Sequence, residues 1–201
     1  MPGGIRSVPQ SASMQYARTI GLSMFAYAND NNGAYPDGNS STEVFQKLMD
    51  GGYVTDPTLF YLAMPGKIKP VPGQKLKPEN VSWDVTGGAD MSSPDELPLV
   101  FMTGYKISYT PGSAAVPLVK PYPPFGLEEP YQNWFDWLLR RPTIHWSAFG
   151  GIAVHYKSNT AKFMIFGPTA NPNGTIPNFI SPDFKPDGKT YRQLTPDGPL
   201  P

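Results

Sequence analysis

Residues 11–36 read SASMQYARTIGLSMFAYANDNNGAYP, and this stretch decides the fold. Met14, Ala17, Gly21, Met24 and Ala28 recur every three or four residues, with Ile20 and Tyr27 flanking them. That is the spacing of one face of an α-helix, and Gln15, Arg18, Thr19 and Ser23 keep much of the remainder polar. The pattern predicts a helix over 11–29, with Ser11 or Ser13 as its N-cap. Asn31, Asn32 and Gly33 accept the left-handed backbone that ends a helix, and Pro36 prevents it from resuming.

A shorter helix should follow. Ser40-Ser41-Thr42-Glu43 fits a capping box, with Ser40 as N-cap and Glu43 reaching back. Val44, Phe45 and Leu48 form its apolar side, and Gly51-Gly52 ends it. Asp56 to Leu62 reads as a short extended piece, and Met64 to Asn80, with four prolines among lysines, as a loop. Strand signals come later. Leu97–Phe101 and Tyr105–Tyr109 are apolar and β-prone, and the alternating Val81–Val85 can pair with them. The clearest hairpin is Gly151–Phe166: Ile152, Val154 and Tyr156 share a face, Ser158-Asn159 makes the turn, and Phe163 and Ile165 return. Asn133–Arg141 resembles a brief amphipathic helix. From Pro168 eight of the 34 residues are proline, which predicts an extended tail mostly without regular structure.

Helices first and strands afterwards indicate an α+β fold, with the long helix laid on one sheet face. The expected organisation is a flexible lead-in over 1–10, a head over 11–167, and a Pro-rich tail over 168–201 packed on or trailing from it. At 201 residues the chain is one domain, or two small ones at most. Proline and glycine supply 25 + 20 residues, so irregular connections are long. Aromatic residues, at 13%, are too plentiful for a disordered chain. Sixteen basic and sixteen acidic side chains cancel, which argues against nucleic acid as a partner. No apolar run is long enough to span a bilayer, and the absence of cysteine removes disulfides, thiolate zinc sites and cysteine nucleophiles.

Chemical motifs are sparse. His145 and His155 are the two histidines, and strand alternation puts His155 on the face opposite Ile152, Val154 and Tyr156, toward solvent or the tail. No nucleophile elbow, phosphate loop, dinucleotide fingerprint or His-Glu-x-x-His motif occurs, so no catalytic residue is assigned and the expectation is a non-enzyme. Asn29–Gly33 superficially resembles a calcium loop but lacks its first and last ligands. Asp84, Asp90, Asp95 and Glu96 surround Gly87-Gly88; they are read as solvated carboxylates, with calcium open but unassigned. No cofactor is expected. Trp134, Trp137 and Trp146 gather aromatic surface near prolines with Tyr122, Phe125 and Tyr131. Such rings tie down loops by packing on proline. Exposed, they form a platform for carbohydrate or a protein partner, which is the alternative functional reading.

The run Ile20-Gly21-Leu22, Tyr27-Ala28-Asn29-Asp30 and Tyr35-Pro36 is similar, in order and spacing, to the helix ending of bacterial type II secretion pseudopilins. Gly150–Tyr156 with Ala161-Lys162-Phe163 resembles, more weakly, the late hairpin of their heads. The family's leader and apolar anchor do not occur in the sequence, so the resemblance implies a soluble head that begins beyond its anchor. It further implies a pilin-like roll, with a long N-terminal helix packed on an antiparallel sheet. The implied function is structural: subunits held in the inner membrane by that anchor stack helix to helix into a periplasmic fibre for protein export. The implied partners are other pseudopilin subunits and the secretion machinery, with Met14, Ala17, Gly21 and Met24 on the assembly helix.

Overall fold

The computed structural model describes residues 8–64, 66–118, 151–165 and 174–200. Helix α1 spans Val8–Asp30 and begins earlier than its apolar period suggests. Pro9 fits the first turn, where a missing N–H costs nothing. Ser11 and Ser13 therefore lie inside the helix rather than at its cap, and Ser13 is buried. The end is as expected. The N–H groups of Asn31 and Gly33 both donate to the Ala28 carbonyl (3.1 and 2.8 Å), while Asn32 and Gly33 take φ of 54° and 83°.

Helix α2 spans Ser41–Asp50, and its cap differs from the expected box by one residue. The Ser40 hydroxyl accepts from the Glu43 N–H at 3.1 Å, but Glu43 Oε2 reaches past Ser40 to accept from the Asn39 N–H at 2.9 Å. Val44, Phe45 and Leu48 are buried, and Phe45 stacks on Phe60 with ring centres 4.4 Å apart. A Ser40→Ala chain should lose about 1 kcal/mol of stability in urea unfolding. A loss below about 0.3 kcal/mol would mean that the Glu43–Asn39 contact holds the helix start alone. The piece expected to be extended is instead a 3₁₀ turn over Pro57–Phe60. Asp56 Oδ1 accepts from both the Thr58 N–H (2.9 Å) and its hydroxyl (2.7 Å), and Pro57 presets the turn dihedral.

The main sheet is built from β1 (Trp83–Gly87), β2 (Pro98–Met102), β5 (Gly151–Tyr156), β6 (Ala161–Ile165) and β7 (Arg192–Leu194). Its order is β6-β5-β2-β1-β7, with every neighbouring pair antiparallel. Strand β1 pairs with β2 as the sequence suggests, and β5 with β6 forms the expected hairpin, Asn159 taking φ 62° in the turn. Tyr105–Lys106 (β3) does not join this sheet but pairs with Val116–Pro117 (β4) in a separate ribbon. Gly104, at φ 101°, turns the chain away between them.

Both sheet faces are covered, so β1, β2 and β5 are buried along their whole length. Val85, Val100 and His155 lie in register on the α1 side. Asp84, Phe101 and Val154 lie in register on the other side, where Phe179 meets Phe101 edge-on at 5.6 Å. The Tyr156 hydroxyl donates to the Phe179 carbonyl there. The C-terminal segment thus closes the second face, burying Ile176, Phe179, Ile180 and Phe184, and ends in an edge strand paired with β1. Apart from that three-residue strand and two isolated bridges, the described part of the segment carries no regular structure, in line with the expectation. The expectation for His155 is corrected: it lies beneath α1, and it is Tyr156, on the opposite face, that meets the tail. Alternation tells which residues share a face, but not which face the helix takes.

Candidate functional site

Helix α1 is the element on which the functional expectation rests, so its two sides decide what it can contact. Ala17, Ile20, Gly21, Met24 and Ala28 are buried against the sheet, and Met14 is half-buried. Three of the four residues assigned to assembly are therefore committed to the chain's own core. Gly21 is what lets the helix approach. A Cβ there would fall 1.9 Å from His155 Cδ2 and 2.2 Å from Nε2, so the imidazole occupies the space a side chain would need.

His155 is 2% exposed, and its Nδ1 has no hydrogen-bond partner. Burial, with a smaller push from the Arg18 charge, lowers its pKa to about 4. The ring is consequently neutral at neutral pH and serves as packing.

The outer side of α1 carries apolar residues that have no place in the inward stripe. Tyr16, Leu22 and Phe25 are 38%, 44% and 43% exposed. A groove of about 360 Å³ runs beside Leu22 and Phe25, bounded by Tyr35, Met91, His155 and Lys157. A second, of about 300 Å³, separates Tyr16, Thr19 and Ser23 from the Tyr53–Leu59 segment. The helix is a ridge between two grooves, and this shape supplies contact area to a partner.

On the opposite sheet face lies a buried polar cluster. Gln193 Nε2 donates to Asp84 Oδ2 (2.7 Å) and to the Tyr105 carbonyl (2.6 Å), and Gln193 Oε1 accepts from the Ile107 N–H (3.0 Å). One amide thereby ties β1, β7 and the ribbon segment together. Asp84 is fully buried with Oδ1 unpartnered, and burial raises its pKa to about 7, against the opposing pull of the Thr103 and Gln193 side chains. Enclosure keeps this carboxyl out of reach of a substrate, so its part is structural.

The carboxylates considered for calcium do not converge. Asp90 accepts from Lys189 at 2.6 Å and is held down at about 2 by that lysine and Ser92, Asp95 accepts from Lys157 at 2.8 Å, and Asp84 is inside. Among the described residues no three His, Cys, Asp or Glu side chains stand where they can hold a metal. His145, the Trp134, Trp137 and Trp146 group and the 133–141 segment lie outside the described residues.

Comparison with known protein families, with curated proteins and with solved structures yields no match. Among the described residues no helix is long and apolar enough to cross a membrane. Leu22 and Phe25 lie off the inward apolar stripe, so a pattern of one helical face does not mark them. Their signal was present as apolar residues off that stripe, in the middle of an otherwise amphipathic helix.

Proposed function

We propose that this chain is a structural subunit of a type II secretion pseudopilus or a related pilin-type fibre, acting in protein export at the periplasmic side of the inner membrane. The head is read as a pilin-like roll that assembles through its N-terminal helix. Two things support the reading: the helix-ending resemblance over Ala17–Pro36, and a long helix laid on an antiparallel sheet. The observation that carries it is the outer side of α1, where Tyr16, Leu22 and Phe25 stay exposed although the inner side already satisfies the core. In a fibre, these residues would meet neighbouring subunits.

The absence of cysteine makes the test clean. Single cysteines at Leu22 or Phe25, introduced into the native gene and oxidised in cells, should give cross-linked oligomers. A cysteine at exposed Lys185 should not. A Leu22→Glu/Phe25→Glu chain should fold normally and assemble at least about tenfold less, since each buried apolar contact is worth about 1.5–3 kcal/mol. Unimpaired assembly of that variant, or equal cross-linking from Lys185, would overturn the reading.

A further inference from the structure

The most exposed large apolar residues among those described are not on α1. They are Ile68 (61%) and Val71 (54%), in a loop that reads GKIKPVPGQKLK over residues 66–77. Four lysines and no carboxylate occur in those twelve residues of a chain whose total charge is zero. The loop is fixed at its base. Pro70 and Leu76 are buried, the Ile68 N–H donates to the Glu79 carbonyl at 2.8 Å, and the Leu76 N–H donates to Gln46 Oε1 at 2.8 Å. Its tip is a turn closed by Gln74 N–H to the Val71 carbonyl, with Pro72 leading into Gly73 at φ 81°. Nothing lies within 4 Å of where a Gly73 Cβ would stand, so the tip projects into open space.

The lysines divide by role. Lys67 is half-buried and donates to the Pro78 carbonyl, and the charges of Asp197, Asp84 and Glu79 act on it. Lys69, Lys75 and Lys77 are exposed, and the ion pairs among the described residues use Lys47, Lys157, Lys189 and Arg192 instead. Asp56 feels Lys69, but its Oδ1 is already engaged by Thr58. The loop thus presents two aliphatic side chains, Ile68 near its base and Val71 at its tip, flanked by three lysines that make no ion pair among the described residues. We propose that loop 66–77 docks on an anionic lipid surface, the lysines meeting headgroups while Ile68 and Val71 enter the interface. An acidic protein would satisfy the lysines, but it gives no reason for bare aliphatic residues on a projecting loop.

The test is co-sedimentation of the full chain with vesicles of phosphatidylcholine alone or with about one-third phosphatidylglycerol. Binding is expected to the anionic vesicles only, and to fall as salt rises from about 0.05 to 0.3 M. Lys69→Gln/Lys75→Gln/Lys77→Gln should lower partitioning about a hundredfold, at about fivefold per lysine. Ile68→Ser/Val71→Ser should lower it about tenfold with the charge intact. Lys106→Gln/Lys162→Gln, which changes exposed lysines elsewhere, should leave it unchanged. Equal binding to both vesicle types, no binding to either, or retention by the triple lysine variant would overturn the proposal. Capture on immobilised polyglutamate without vesicle binding would overturn it too, assigning the lysines to an acidic protein.

Discussion

A Gly21→Val chain is expected to unfold about 3 kcal/mol more easily than the parent, at the upper end of what overpacking a core usually costs. The cause is local. Cβ at position 21 lands inside the His155 ring, and that ring is enclosed between β5 and α1. Either the imidazole leaves its position or the helix lifts from the sheet. Gly21→Ala is the sharper probe of sign, because at an exposed helical site it should stabilise by about 1 kcal/mol. Here it should destabilise by about 2 kcal/mol. Urea unfolding at constant pH measures both. His155→Ala combined with Gly21→Ala should recover at least about 1.5 kcal/mol of the sum of the single losses, as coupled neighbours do. Strict additivity would show that the two residues do not compete for one space.

The second large effect concerns pH and sets His155 against Asp84. For His155 the folded pKa is about 4 against the ordinary 6.5. The unfolded chain therefore takes up a proton first on acidification, and stability falls as pH drops from 6.5 toward 4. For Asp84 the folded pKa is about 7 against the ordinary 3.8, so stability falls as pH rises from 3.8 to 7. At 1.36 kcal/mol per unit the two contributions are each about 3–4 kcal/mol, opposite in sign and nearly coincident in window. The parent chain should accordingly show a nearly flat stability between pH 4.5 and 6.5. Asp84→Asn should become more stable with rising pH across that window, because His155 is left unopposed. His155→Gln should become less stable, because Asp84 is. Denaturant midpoints at three pH values decide it, and parallel profiles for the three chains would refute the account. Surface carboxylates such as Asp90, held at about 2 by Lys189 and Ser92, act below this window.

Local signals in the sequence carried much of this architecture. The period of Ala17, Gly21, Met24 and Ala28, the Asn31–Gly33 ending, the Ser40 cap and the β5–β6 hairpin each depend on residues within a few positions of one another. What escaped depends on distant ones. Nothing near Arg192–Leu194 announces a strand, since its partner β1 lies about a hundred positions earlier and proline dominates the surroundings. The Pro57–Phe60 turn was hidden because Asp56 and Thr58 fix it by side-chain bonds that composition does not display. The Gly21–His155 contact joins two motifs read separately, and only the fold shows that one is the other's socket. The inward residues of α1 were legible as a face. Its outward Leu22 and Phe25 were legible only as exceptions to that face, which is where a contact surface on an amphipathic helix should be sought.

The position of β7 bears on how the molecule comes into being. Residues 192–194 are synthesised about a hundred positions after β1, yet they occupy the sheet edge beside it, and Gln193 supplies the amide that Asp84 and the Tyr105–Ile107 backbone share. Until they arrive, β1 presents an open edge and Asp84 lacks its donor, so the nascent chain passes through a stage in which its central strands invite foreign pairing. A chain that stops before Arg192 would therefore leave the β1 edge open to foreign pairing, and the sheet is safe only once translation has passed Leu194.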